Sequence, residues 1–311
     1  MKKLFIALSM AALISSAFEP AGSVQASHND DHKMKPFVLA STSSGDMAGI
    51  VADVTNKLKG AGFEIAGSYS PYPAATIIVV TNDALKKAVA KSDFGGYGAA
   101  QRVSVTKVKD QLQVAYTNPT YMASAYRMKD KLSDAAGRLA SALGKGKEYG
   151  PDDDDAMNDE DLREYQYMFG MEDFTDHFLM GEHTSFEAAV NTVEKNLAAG
   201  VSGVTKVYRI DIPGKKETVF GVAMKGKTEQ EKDQDDKYLM SEIDFKPVRS
   251  TAHLPYELLV SGTKVYSQSA RFRIAINFPD LSMMGSNSFM NIMGAPDAIK
   301  GALSAVAGGK K

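Results

Sequence analysis

Cysteine is absent from this 311-residue chain. Its absence excludes disulfides, thiolate nucleophiles and zinc–thiolate centres, and removes the residue on which bacterial lipoproteins are anchored. An excess of positive charge is also missing. Lys and Arg number 36 against 38 Asp and Glu, so nothing points to nucleic acid. Histidine is scarce, with five in all. The short patterns that mark common catalytic machinery do not occur: there is no G-x-S-x-G, H-E-x-x-H or P-loop. FGGYGAAQ, from Phe94 to Gln101, carries part of a G-x-G-x-x-G, but Gln101 stands where the third glycine belongs, and the stretch reads as a loop. A Ser-His-Asp site assembled from distant residues leaves no such trace, so an enzyme with an unrecognised site stays open. Beyond the first residues no run approaches the roughly 20 apolar positions that span a bilayer, which predicts no transmembrane segment in the mature protein.

What is present starts at the N-terminus. Lys2 and Lys3 precede an apolar run from Leu4 to Ile14, followed by small residues and Val24-Gln25-Ala26, the pattern of a secretory signal peptide over residues 1–26. The expected mature protein begins at Ser27 and works in the periplasm or outside the cell. Without Lys2, Lys3 and Glu19, 34 basic and 37 acidic residues remain. A cut one residue earlier would make His28 the third residue, where amine, two amides and imidazole hold Cu(II) in a plane.

The two halves run through similar elements in the same order. Asp46 to Gly60 and Ser185 to Ala199 both carry apolar residues at helical spacing. ATIIVV (Ala75 to Val80) and ETVFGVAM (Glu217 to Met224) have the length and branching of strands. RVSVTKV (Arg102 to Val108) aligns with LPYELLV (Leu254 to Val260), QLQVAYTNP (Gln111 to Pro119) with RFRIAINFP (Arg271 to Pro279), and LSDAAGRLASAL (Leu132 to Leu143) with APDAIKGALSAV (Ala295 to Val306). The separation grows from 139 to 163 residues along the chain, as loop insertions in a second copy would make it. The expected fold class is α+β, with two similar antiparallel-sheet units whose helices pack on one face. In RVSVTKV the alternation puts Val103 and Val105 on the covered face and Arg102, Ser104 and Thr106 on a wet one. The units span residues 35–144 and 177–308. Between them, at 145–176, lies a linker with twelve acidic residues from Glu148 to Asp176 against one basic, Arg163, which predicts an extended, self-repelling segment. PDDDDAMNDED is no EF-hand loop, because it lacks the sixth-position glycine and breaks the ligand alternation at Ala156 and Met157.

YTNPTYMASAYRM, from Tyr116 to Met128, follows the helix, the Gly62-Phe63 turn and the apolar strands in the order of a bacterial family called domain of unknown function 302, which this chain resembles. NFPDLSMM and LPYELLV make the second half resemble a more diverged member, with an insertion from Lys225 to Lys237. The resemblance implies a TBP-like fold in tandem and no particular activity, and the fold's name brings no DNA binding with it.

Two sets of residues have the chemistry of a soft-metal site. MMGSNSFMNIMG places Met283, Met284, Met290 and Met293 in twelve residues, and DHFLMGEH places His177, Met180 and His183 three apart. Thioether with imidazole suits copper. Against the metal stands packing: Met fills irregular corners between a strand and a helix, as Met122 and Met128 are expected to do in the first half. His253, ahead of a strand, reads as a surface or hydrogen-bonded loop residue. The leading functional reading is a non-enzymatic binding or accessory protein, with an unknown small molecule or protein held between or upon the two sheets; a copper-handling protein is the alternative.

Overall fold

The first long helix is set by its cap and its stripe. In the computed structural model, which describes residues 32–309, Asp46 accepts a hydrogen bond from the Gly49 amide at 2.8 Å and starts α1, Met47–Gly60. Val54 and Leu58, one turn apart, are buried against a sheet. Burial of a leucine such as Leu58 contributes about 1.5–3 kcal/mol. The signal peptide and His28 lie outside the described residues.

The first unit continues through β1 (Phe37–Ser43), β2 (Glu64–Tyr69), β3 (Ala75–Thr81), α2 (Asp83–Val89), β4 (Gln101–Val108), β5 (Gln111–Thr117), α3 (Pro119–Ala125) and α4 (Ser133–Leu143). After β6 (Lys147–Tyr149) and α5 (Asp159–Arg163), the second unit runs β7 (Phe178–Glu182), α6 (Phe186–Ala198), β8 (Val204–Asp211), β9 (Glu217–Met224), α7 (Asp236–Ile243), β10 (Tyr256–Ser261), β11 (Lys264–Ser267), α8 (Ala270–Asn277) and α9 (Ala295–Val306). The fold class is α+β. Both sheets are antiparallel, in the orders β2-β3-β4-β5-β1-β6 and β8-β9-β10-β11-β7. With β6 set aside the two orders coincide element for element. The irregularities coincide too: Ala40 and Met180 are the extra residues in β1 and β7, and Ala66 and Val207 in β2 and β8.

This correspondence corrects two parts of the sequence alignment. RFRIAIN is no strand: it forms α8, the counterpart of α3, and the strand matching β5 is β11, KVYS. The separations also do not grow steadily. Matching the ladders pairs Ile78 with Phe220, Val103 with Leu258, and Tyr116 with Ser267, so the spacing rises from 142 to 155 and falls to 151. The fall reflects a β10–β11 hairpin with three paired rungs where β4–β5 has six.

One face of the first sheet is covered as expected, by α1 and α4: Leu58 and Leu139 pack on Ile78, Val80, Val103 and Val105. The other face is not wet. Arg102, Ser104 and Thr106 are all at least 98% buried, because the second unit lies over them. The contact is reciprocal. The short turn Gly95–Gly98 of the first unit sits on the second sheet, where the Gly96 amide donates to Glu217 Oε1 at 2.7 Å. A Cβ on Gly96 would come within 2.6 Å of Leu259 Cδ1 and 2.8 Å of Glu217 Oε1, so a larger residue there would push both side chains aside. The turn Thr251–His253 of the second unit sits on the first sheet, where Thr106 Oγ1 and Thr251 Oγ1 are 3.0 Å apart.

The acidic segment is neither extended nor free. β6 pairs with β1, Met34 bridges Met157, and α5 buries Leu162 against α3. Its like charges are relieved by cations from elsewhere, including Lys35 on Asp153 at 2.7 Å and Arg127 on Asp173 at 2.9 Å. Asp152 to Asp155 form an exposed tip.

Candidate functional site

The centre of the junction between the units is polar and closed. Glu257 of β10 lies between two buried guanidinium groups. Arg273 of α8 donates to its Oε2, and Arg102 of β4 approaches the same oxygen at 3.8 Å. Tyr208 donates to Oε1 at 2.6 Å. Arg273 also donates to the carbonyls of His253 and Pro255 at 2.7 and 3.3 Å. His253 is part of this core and not a surface residue: its ring nitrogens meet Asn277 Oδ1 at 2.7 Å and the Tyr256 hydroxyl at 3.1 Å. Burial, and then the charge of Arg273, hold its pKa well below the ordinary value, so the ring is neutral. Arg102, Arg273, Glu257 and His253 are shut off from solvent. Their contacts join the two units, Arg102 of the first to Glu257 and the His253 carbonyl of the second.

Beside this core an open cleft of about 470 Å³ runs along the seam. The first unit supplies Tyr72, Thr106 and Lys107, and the second Lys237, Asp244 and Arg249. Lys107 and Lys237 are exposed, and neither has a carboxylate partner among the described residues. Arg249 is held by its neighbours: its guanidinium donates to the Asp244 carbonyl and its amide to Gln113 Oε1 at 2.9 Å. Asp244 is the cleft's carboxylate and faces inward. Its oxygens accept from the Ser250 amide at 2.7 Å and the Thr251 hydroxyl at 3.1 Å, and burial pushes its pKa up to about 6. Tyr72 meets the same Thr251 hydroxyl at 3.1 Å, and burial followed by the charge of Asp244 raises its pKa to about 12. Behind Lys237, Asp236 accepts from the Met224 amide at 3.0 Å and the Tyr69 hydroxyl at 3.3 Å. Burial raises its pKa to about 8, so it carries a proton at neutral pH. The open wall is therefore cationic, and its floor of Pro73, Ala74 and Met240 is apolar.

Of the residues singled out from the sequence, His177, Met180 and His183 do not form a set. They lie on or beside strand β7, not on a helix. Met180 is buried, and His183 Nε2 is 2.9 Å from the Ala307 carbonyl. His177 stacks on Phe94 at 4.1 Å beside a smaller cleft of about 270 Å³, and burial lowers its pKa to about 4. Met122 and Met128 fill the corner after β5 as expected. Met283, Met284, Met290 and Met293 do not: they are exposed, which corrects the packing expectation for this stretch. Among the described residues no group of three or more His, Asp or Glu is placed to hold a metal ion, and no helix is long and apolar enough to cross a membrane. The cleft itself was not found from the sequence. Lys107 lies 130 positions before Lys237 and 142 before Arg249, with no local signal joining them. No family model matches the chain, and no curated protein and no solved structure is significantly similar to it.

Proposed function

We propose that this chain is an exported, non-enzymatic binding protein that holds a small anionic molecule with an apolar part in the cleft between its two units. Export rests on the pattern of residues 1–26. The observation that carries the ligand class is the convergence of Lys107 and Lys237, one from each unit and both without a counter-ion among the described residues, on a cleft with an apolar floor. Charge of one sign in a concave surface concentrates the opposite charge. A carboxylate or phosphate would meet Lys107, Lys237 and the Arg249 guanidinium, while a ring or short chain would cover Ala74 and Met240. Junctions between units are frequent sites of ligand binding.

The test compares benzoate with benzyl alcohol and inorganic phosphate by calorimetry on the mature protein and on Lys107→Gln/Lys237→Gln. Benzoate should bind more tightly than either comparison molecule. The double variant should lose about 10-fold or more of that affinity, in keeping with two charge-assisted contacts. Equal binding of benzoate and benzyl alcohol, or a double variant as good as the parent, would show that the cations do not select the ligand.

A further inference from the structure

The methionine loop before α9 has an inner and an outer side. The Phe289 amide donates to the Ser282 carbonyl at 2.9 Å and the Met290 amide to the Met283 carbonyl at 3.2 Å, so the two arms of the loop run side by side with Met283 opposite Met290. Residues 289 to 292 then form a 3₁₀ turn. Side chains three apart eclipse one another in such a turn. Phe289 and Ile292 therefore share one side and Met290 and Met293 the other. The first side is the inner one: Ile292 is buried, and Phe289 lines a small apolar cavity with Phe278 and Leu281. The outer side bears the thioethers, with Met283, Met284, Met290 and Met293 exposed by 40 to 71%.

That division sorts the loop's apolar residues by chemistry. Leu281 and Ile292 point inward, and within this loop every large apolar side chain that is exposed contains sulfur. This chain buries methionine readily elsewhere, as at Met122, Met128, Met224 and Met240. Full burial of each exposed side chain would contribute about 1.5–3 kcal/mol, and the loop forgoes this gain four times. An uncharged donor set of soft sulfurs suits a soft monovalent cation and not a hard divalent one. The nearby Glu242 carboxylate accepts a hydrogen bond from the Asn291 amide group at 2.8 Å. We propose that Met283, Met290 and Met293 form a surface site for Cu(I), with Met284 able to replace one of them. The site is independent of the cleft between the units.

The experiment titrates Cu(I) anaerobically into the mature protein against a chromogenic Cu(I) chelator. The parent should withdraw one equivalent. Met283→Leu/Met290→Leu/Met293→Leu, which keeps size and apolarity at exposed positions, should bind at least about 100-fold more weakly with an unchanged melting temperature. Met168→Leu/Met171→Leu should bind as the parent does. In the parent labelled at its methionine methyls, the redox-inert Ag(I) should shift the signals of Met283, Met290 and Met293 and leave those of Met122 and Met240 in place, a readout independent of the folding of any variant. A parent that takes no Cu(I) from the chelator, a triple variant that binds as tightly as the parent, or Ag(I) shifts confined to other methionines would overturn the site. So would a loop that only self-associates or captures apolar probes, the behaviour of a docking surface without a metal.

Discussion

The buried carboxyl of Asp236 makes stability depend on pH. Its folded pKa of about 8 lies above the ordinary value near 3.8, so folding takes up a proton as pH rises between them. The stabilisation linked to that proton is complete below about pH 4 and is lost as pH climbs through about 8. Asp244, raised to about 6, adds a loss of the same sign at lower pH. Asn in place of Asp236 can still accept from the Met224 amide and cannot ionise. The melting temperature of the parent should fall by several degrees from pH 6.5 to 9, and that of Asp236→Asn should be much flatter, measured by calorimetry across the range. A parallel decline in both proteins would place the proton elsewhere. Glu257 is the converse case, a buried charge with partners. Glu257→Leu leaves Arg102 and Arg273 uncompensated and should cost about 3–5 kcal/mol. Arg102→Met/Glu257→Leu/Arg273→Met should be milder than the single change despite altering more atoms, as denaturant unfolding would report.

Elements differ in how much of them can be read from residues alone. α1 and α6 were legible because each buries one stripe, Val54 with Leu58 and Val190 with Val193 and Leu197, and shows water the rest. β3 and β4 were legible from branched residues. α8 was not, and the reason is enclosure: Phe272, Arg273, Ile274, Ile276 and Asn277 are all buried, so no stripe distinguishes its faces and its alternation of polar and apolar residues imitates a strand. β11, with four residues, is too short to announce itself. Arg102, Ser104 and Thr106 looked solvated for a related reason. Polarity reports what a side chain needs as a partner, and here the partner is another part of the protein and not water. The cleft was illegible altogether, because folding alone brings Lys107 to Lys237. The methionine loop was conspicuous by composition, but its outward orientation depends on the register of its two arms. The acidic segment yields a test at this scale. Leu162 and Phe174 anchor it on either side of an exposed stretch at Met168 and Phe169, so brief proteolysis should cut at the exposed Asp152–Asp155 tip and near Phe169 and spare α5. Leu162→Ala should extend cleavage into α5, visible as new fragment masses.

Across the whole molecule, each unit covers the polar face of the other's sheet, and each sends a turn across the seam. Edge strands β2 and β8 meet so closely that a Cβ on Gly67 would lie 2.1 Å from the Val207 carbonyl oxygen. An isolated unit would expose Arg102 with Ser104 and Thr106, or Glu257 with Arg273, so unfolding by heat should be one cooperative transition despite the repeated topology. The crossed turns have a topological consequence as well. Gly95–Gly98 and Thr251–His253 clasp the halves together whether or not the chain is continuous between them, which makes the Asp152–Asp155 tip a leash and not a strut. A chain severed there should pass through a sizing column as one particle, behaving as a heterodimer whose two subunits happen to be encoded in a single reading frame.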